Sequence, residues 1–238
     1  PAHGRSPQVF ESFYYGALHH PLWCWVSVVL CGAVLCDLHG SRVRFQDPFM
    51  RLFVWVFAAS IALDAWCTGG WTLLGEGDLA QNVAILFVIL GDWRYFVLVQ
   101  RYATGGEPRG GASPWLRALG WALIIPLISG VGTRVFPEFF SSSRWIFLVY
   151  ELMFLGLALF LGTVVLPKRL SGVSAPVRRF VLALTWFEAA QYALWAYADV
   201  VILNFGDVGY AFRLIPNAFY YALFLPFVLS RAPRLEAD

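Results

Sequence analysis

The chain has 238 residues, a formal net charge of +2, and 59% hydrophobic, 18% aromatic and 13% charged residues, with a mean hydropathy of +0.65. Soluble domains carry roughly 25% charged residues, so the composition excludes an ordinary water-soluble globule. The small net charge gives no footprint for nucleic acid, and the length leaves no room for a separate soluble domain beside a polytopic bundle.

Apolar stretches of membrane-spanning length, about 20 residues each, follow one another along the chain. The first is expected from Pro21 to Leu38, the second from Pro48 to Trp71, the third from Leu79 to Tyr102 and the fourth from Pro114 to Phe136. A fifth follows from Ser143 to Leu166, a sixth from Val177 to Phe205 and a seventh from Val208 to Ser230. Pro21, Pro48, Pro114 and Pro176 stand near span entrances, where a missing N–H is tolerated. Only Asn204-Phe205-Gly206-Asp207 separates the last two spans, which predicts a tight turn. The predicted fold is therefore all-α: seven transmembrane helices in a single bundle. Residues 1–20 form an extracytoplasmic segment, 21–230 the transmembrane domain and 231–238 a cytoplasmic tail.

Orientation follows from the gaps. Arg42, Arg44 and Arg51 follow span one, Arg101, Arg109 and Arg117 surround the gap after span three, and Lys168, Arg169, Arg178 and Arg179 follow span five. Arg231 and Arg234 lie in the tail. The alternate gaps are poorer in base and hold Glu76 and Asp78, then Glu138 flanked by Arg134 and Arg144, then Asp207. Positive charge marks the cytoplasmic side, so the N-terminus is expected outside and the C-terminus inside. We place the chain in a bacterial inner (plasma) membrane. The first residues lack the apolar region and cleavage pattern of a signal peptide. Phe10, Phe13, Tyr14, Tyr15 and Leu18 read mainly as an interfacial aromatic belt leading into span one.

Cys24, Cys31, Cys36 and Cys67 have no metal-binding spacing and are expected to be free thiols, although Cys24 and Cys67 share a membrane depth. The histidines are His3, His19, His20 and His39. None lies mid-span, so no haem held between two transmembrane histidines is expected. His19 and His20, at the outer mouth, read as solvent-facing interface residues, with contact to a metal or a quinone as the lesser alternative. Seven spans with the N-terminus outside is also the topology of rhodopsins, but a retinal Schiff base needs a lysine in the seventh span. The only lysine is Lys168, in a predicted cytoplasmic loop. No metal or other cofactor is expected. At a shift of 129 residues Trp66 falls on Trp195 and Gly77-Asp78 on Gly206-Asp207, the trace of an internal repeat or of chance.

The candidate functional residues are the ionisable and amide groups inside the spans, each costing about 2.5–3.5 kcal/mol at the helix centre unless paired or hydrated. Asp92 and Arg94 lie mid-span three, two residues apart and hence on different faces. Glu188 in span six, with Gln191 nearly on its face, is the expected partner of Arg94. Asp64, Glu151, Asp199, Arg213 and Asn217 lie toward the outer side, and Pro216 breaks the backbone ladder of span seven. Two readings stand: a cavity opening outward and closing near Glu188, or buried ion pairs acting as staples. Trp93, Trp186 and Trp195 are candidate walls for an aromatic, polyene or quinone-like ligand.

The function expected from this pattern is a small-molecule or ion transporter, or a receptor-like protein with a hydrophobic or aromatic ligand. The alternatives are a non-catalytic subunit or assembly factor of a larger membrane complex, and an intramembrane lipid-modifying enzyme. The enzyme is disfavoured because no nucleophile or metal set accompanies the carboxylates. The expected partners are the lipid bilayer, the small ligand, and a second copy or other membrane proteins, with no nucleic acid.

Overall fold

The computed structural model describes residues 8–36, 47–70, 72, 78–103, 113–136, 138 and 143–233, and over these every regular element is a helix. Arg42, Arg44, Glu76, Arg109, Arg234, His3 and His39 lie outside the described residues. A short α1 (Val9–Tyr14) precedes α2 (His19–Cys36), α3 (Pro48–Thr68) and α4 (Asp78–Ala103). The fourth predicted span is two helices, α5 (Ser113–Ala122) and α6 (Ile124–Val135). The break at Leu123 has a local cause: Pro126 lacks the N–H that would bond the Ala122 carbonyl. Next come α7 (Ser143–Phe160), a wide π-helical stretch (Leu161–Val165) and α8 (Leu166–Arg169). The chain ends in α9 (Ala175–Phe205), α10 (Asp207–Asn217), a second π-helical stretch (Ala218–Leu223) and α11 (Phe224–Arg231).

Among the described residues six helical segments are long and apolar enough to cross a membrane: His19–Cys36, Pro48–Thr68, Asn82–Ala103, Pro114–Val135, Arg144–Arg169 and Asp207–Arg231. The chain is thus an integral membrane protein whose described elements are all helical. The predicted sixth span, α9, is a continuous helix of 31 residues but is not among those six. Its inward stripe carries Thr185, Glu188, Gln191 and Asp199, which lower its apolarity. By the measure of length and apolarity the count is therefore six where seven was expected.

Local sequence explains the helix starts and faces. Asp47 caps α3 by accepting from Phe49 N at 2.9 Å, with Pro48 in the first turn. Met50, Phe53, Phe57, Ile61 and Asp64 then recur at three- and four-residue steps and are all buried, forming the inward face. Between α9 and α10, Gly206 takes φ +66°, which a side chain would disfavour. A Cβ on Gly209 would meet Ile202 N at 2.4 Å, so the two helices turn back on each other in near-backbone contact.

The final helical run is the most buried of the six segments and α2 the least, which puts the former at the centre of the bundle. The long α9 packs on α7, α10 and α4, while α2 lies against the second π-helical stretch and α11. Phe53, Phe57, Tyr95, Tyr102, Phe154 and Phe224 are large, fully buried contributors to a continuous core. Outward-facing Trp25, Trp55, Leu127 and Val131 are exposed, as expected where lipid replaces water as the solvent.

Candidate functional site

The tight turn at Gly206 brings the last turns of α9 back against α10, so Asp199 faces Arg213. Arg213 Nη1 donates to Asp199 Oδ1, and Arg213 Nη2 lies 3.6 Å from Glu151 Oε1 on α7. Arg213 Nε donates to the Tyr14 hydroxyl at 3.0 Å. From the start of α7, Arg144 Nη1 reaches the same Asp199 oxygen at 3.4 Å, while Nη2 donates to Tyr15 Oη at 2.7 Å and Tyr210 Oη at 3.2 Å. Two guanidiniums and two carboxylates thus form one neutral quartet across three helices.

The N-terminal segment is tied onto this quartet. The Asp207 carboxylate accepts from Glu11 N at 2.8 Å and Phe10 N at 3.3 Å, capping α1 from a distant helix. Tyr210 donates to Glu11 Oε1 at 3.1 Å. Tyr14 is buried whereas Phe10, Phe13, Tyr15 and Leu18 are exposed. The reading of this segment as an interfacial belt therefore fails at Tyr14, whose ring turns inward over Arg213. His19 and His20 were expected to face solvent, yet they are 0% and 5% exposed. The Tyr14 carbonyl holds His19 Nδ1 at 2.9 Å, and His20 packs edge-on to Tyr221 with ring centres 5.2 Å apart.

Tyrosine hydroxyls supply most of the remaining polar contacts. Asp64 accepts from Thr68 Oγ1 at 2.9 Å and Tyr221 Oη at 3.1 Å. Trp195 Nε1 donates to Asn217 Oδ1 at 2.9 Å, and Asn217 Nδ2 donates to Tyr14 Oη at 3.4 Å. Deeper in the bundle Asp92 accepts from the hydroxyls of Tyr150 and Tyr192, one on each carboxylate oxygen. Tyr220 donates to the Phe87 carbonyl at 3.1 Å, and a Cβ on Gly91 would come within 2.6 Å of the Tyr220 ring. The bare backbone at Gly91 is what admits that ring.

Arg94 does not meet Glu188 in an ion pair. Its Nη1 donates to the Tyr220 carbonyl at 3.0 Å, and the guanidinium lies over the rings of Tyr220 at 4.3 Å and Phe224 at 3.9 Å. The π-helical stretch explains the carbonyl. Phe224 N–H reaches back five residues to Phe219 O, so Tyr220 O loses its ordinary i+4 donor and takes Arg94 instead. Arg94 Nε and Nη2 and Glu188 Oε1 make no hydrogen bond, with both residues 1% exposed.

These groups surround a cavity of about 270 Å³. Of the predicted residues, Asp64, Glu151, Arg213 and Asn217 line it. Asp92 sits behind two lining residues, Tyr150 and Tyr192. Asp199 braces the wall from outside, while Arg94, Glu188 and Gln191 are buried but do not line it. Trp195 lines the cavity, Trp93 donates to the Trp115 carbonyl at 2.8 Å, and Trp186 is largely exposed. Trp66 is exposed where its predicted repeat mate Trp195 is a cavity wall, so the two are not equivalent.

Sequence reasoning missed Tyr14, Tyr150, Tyr192, Tyr220 and Tyr221, together with His20, all of which line the cavity. Of these tyrosines only Tyr14 entered the sequence reading, as part of an interfacial belt, and only the adjacency of Tyr150 to Glu151 and of Tyr220-Tyr221 to Asn217 signals the others. Among the described residues the four cysteines are free thiols, and no three His, Cys, Asp or Glu side chains converge to hold a metal ion. No family model, curated protein or solved structure matches the chain.

Proposed function

We propose that this integral membrane protein binds a small amphipathic molecule in the tyrosine-lined cavity, as a transporter or a receptor-like protein. The observation that carries the reading is the cavity of about 270 Å³ itself, whose wall mixes ring faces with charged and hydroxyl groups. That volume is near the lower end of the roughly 300–1,000 Å³ of small-molecule sites, which suits a compact ligand. Two atoms of its lining residues, Glu151 Oε2 and His20 Nδ1, are buried without a hydrogen-bond partner. Buried polar atoms are nearly always bonded, so orphans at a cavity wall fit a site that a ligand completes. Purification in native lipid discs followed by mass spectrometry should recover a small molecule in stoichiometric amount. Its absence, together with no ligand-dependent stabilisation, would overturn the reading.

The proposal includes seven spans, with α9 as the sixth. At about 1.5 Å per residue its 31 residues reach some 46 Å, more than the roughly 30 Å of hydrocarbon, and Glu188, Gln191 and Asp199 all face inward. It also includes the N-terminus outside and a bacterial inner membrane, on the loop arginines. The lone Lys168 leaves no amine in the seventh span for retinal. Single-cysteine labelling in intact cells should modify positions 76 and 138 from outside and leave positions 109 and 168 protected. Labelling at 168 from outside would reverse the orientation.

A further inference from the structure

Resting on the cavity as a binding site, we infer that its ligand is an organic cation, with an ammonium group seated against Asp64 and Glu151 and enclosed by tyrosine and tryptophan rings. The sign follows from the charges around the cavity. In the Arg144–Asp199–Arg213–Glu151 quartet positive and negative charge cancel. Asp64 is 5% exposed and, among the described residues, forms no ion pair; its hydrogen bonds come from the neutral hydroxyls of Thr68 and Tyr221. Asp92, just behind the wall, is also held by two neutral hydroxyls. Counting Glu188, five buried carboxylates stand against Arg94, Arg144 and Arg213, an excess of two. Arg94 forms no ion pair with a carboxylate: its Nη1 donates to a carbonyl and its guanidinium lies over two rings. An uncompensated carboxylate in low dielectric is costly, and a bound cation relieves that cost.

The donors point the same way. Each nitrogen of Arg213 already has a partner in Tyr14, Asp199 or Glu151. Both terminal nitrogens of Arg144 are likewise engaged. An anion would have to break these contacts, whereas a cation finds acceptors waiting: Glu151 Oε2 is unbonded in a residue 3% exposed. The remaining wall is π surface, with Tyr14, Tyr192, Trp195, Tyr220 and Tyr221 all lining the cavity. Ring faces attract cations, and best those that are weakly hydrated, such as quaternary ammonium. The protein uses the same interaction around the site, with Arg94 over Tyr220 and Arg144 5.1 Å from the centre of the Tyr210 ring.

The test is calorimetric titration of the full chain in lipid discs with benzyltrimethylammonium, its uncharged isostere neopentylbenzene, and benzoate. The cation should bind saturably and more tightly than the other two. Asp64→Asn should weaken it about tenfold or more, the loss of one close charge–charge attraction in a low-dielectric site, while Asp64→Glu, which keeps the charge, retains binding. An unchanged melting temperature for Asp64→Asn shows that the loss is not unfolding. Equal or tighter binding of benzoate or neopentylbenzene would overturn the cation but leave the cavity as a ligand site. Unchanged cation affinity in Asp64→Asn would do the same. If none of the three binds, the cation inference falls; the cavity reading falls too only if native mass spectrometry finds no small molecule.

Discussion

Arg213→Leu should lower the stability of the bundle by about 3–5 kcal/mol, the cost of removing one partner from a buried ion pair. The guanidinium is the hub of the outer network, touching Asp199, Glu151 and Tyr14 on three other segments of the chain. With leucine in its place Glu151 loses its ion-pair partner, and Asp199 keeps only the longer contact to the partly exposed Arg144. The triple change Arg213→Leu, Asp199→Leu, Glu151→Leu should recover most of that loss, because it leaves no charge stranded. Chemical unfolding in lipid discs, followed by circular dichroism, reads both quantities. A single variant as stable as the parent would mean that water reaches the quartet and screens it. A triple variant no better than the single one would mean that packing rather than charge sets the cost.

Removing both donors from Asp92 should be the second large effect. Tyr150→Phe with Tyr192→Phe leaves each carboxylate oxygen without a partner, at about 1–3 kcal/mol per lost bond, roughly 2–6 in total. Asp92→Asn, by contrast, should change stability by less than about 1 kcal/mol. A carboxamide can accept from one hydroxyl and donate to the other, so both polar atoms of residue 92 keep a partner. The order of the two variants is the test, read by the same unfolding experiment. If Asp92→Asn costs as much as the double tyrosine change, it is the carboxylate's charge that matters and not its hydrogen bonds.

The paired expectation for Arg94 and Glu188 shows where one-dimensional reasoning stops. Depth along each helix was inferred from residue count, which locates a side chain along the membrane normal but not around it. The carbonyl that Arg94 takes exists only because the backbone after Pro216 widens into a π-helical stretch. Proline signals a disturbed ladder, but not which carbonyl is freed nor what will reach it. The histidines failed for a related reason. His19 and His20 lie at the end of an apolar span, where sequence suggests solvent, and α1 folds over them. That fold depends on Asp207, nearly two hundred residues away in the chain, capping α1.

Sequence by itself determined the helical class, the membrane, the positions of most helices and the buried carboxylates and arginines, though not the buried histidines. Hydropathy and helix length are local quantities, and a bilayer permits few ways to satisfy a backbone. It also placed the Gly206 turn, because only a tight connection fits between two such stretches, and from it Asp199 and Arg213 fall within one hairpin. Which groups meet was decided by tertiary structure alone. Tyr14, Tyr150, Tyr192, Tyr220 and Tyr221 come from four separate segments and converge only when α1, α7, α9 and the run after α10 pack together. A tyrosine suits both a lipid interface and a polar core, because its ring is apolar and its hydroxyl is not. Only the angle at which each helix faces its neighbours makes these five the wall of a cavity.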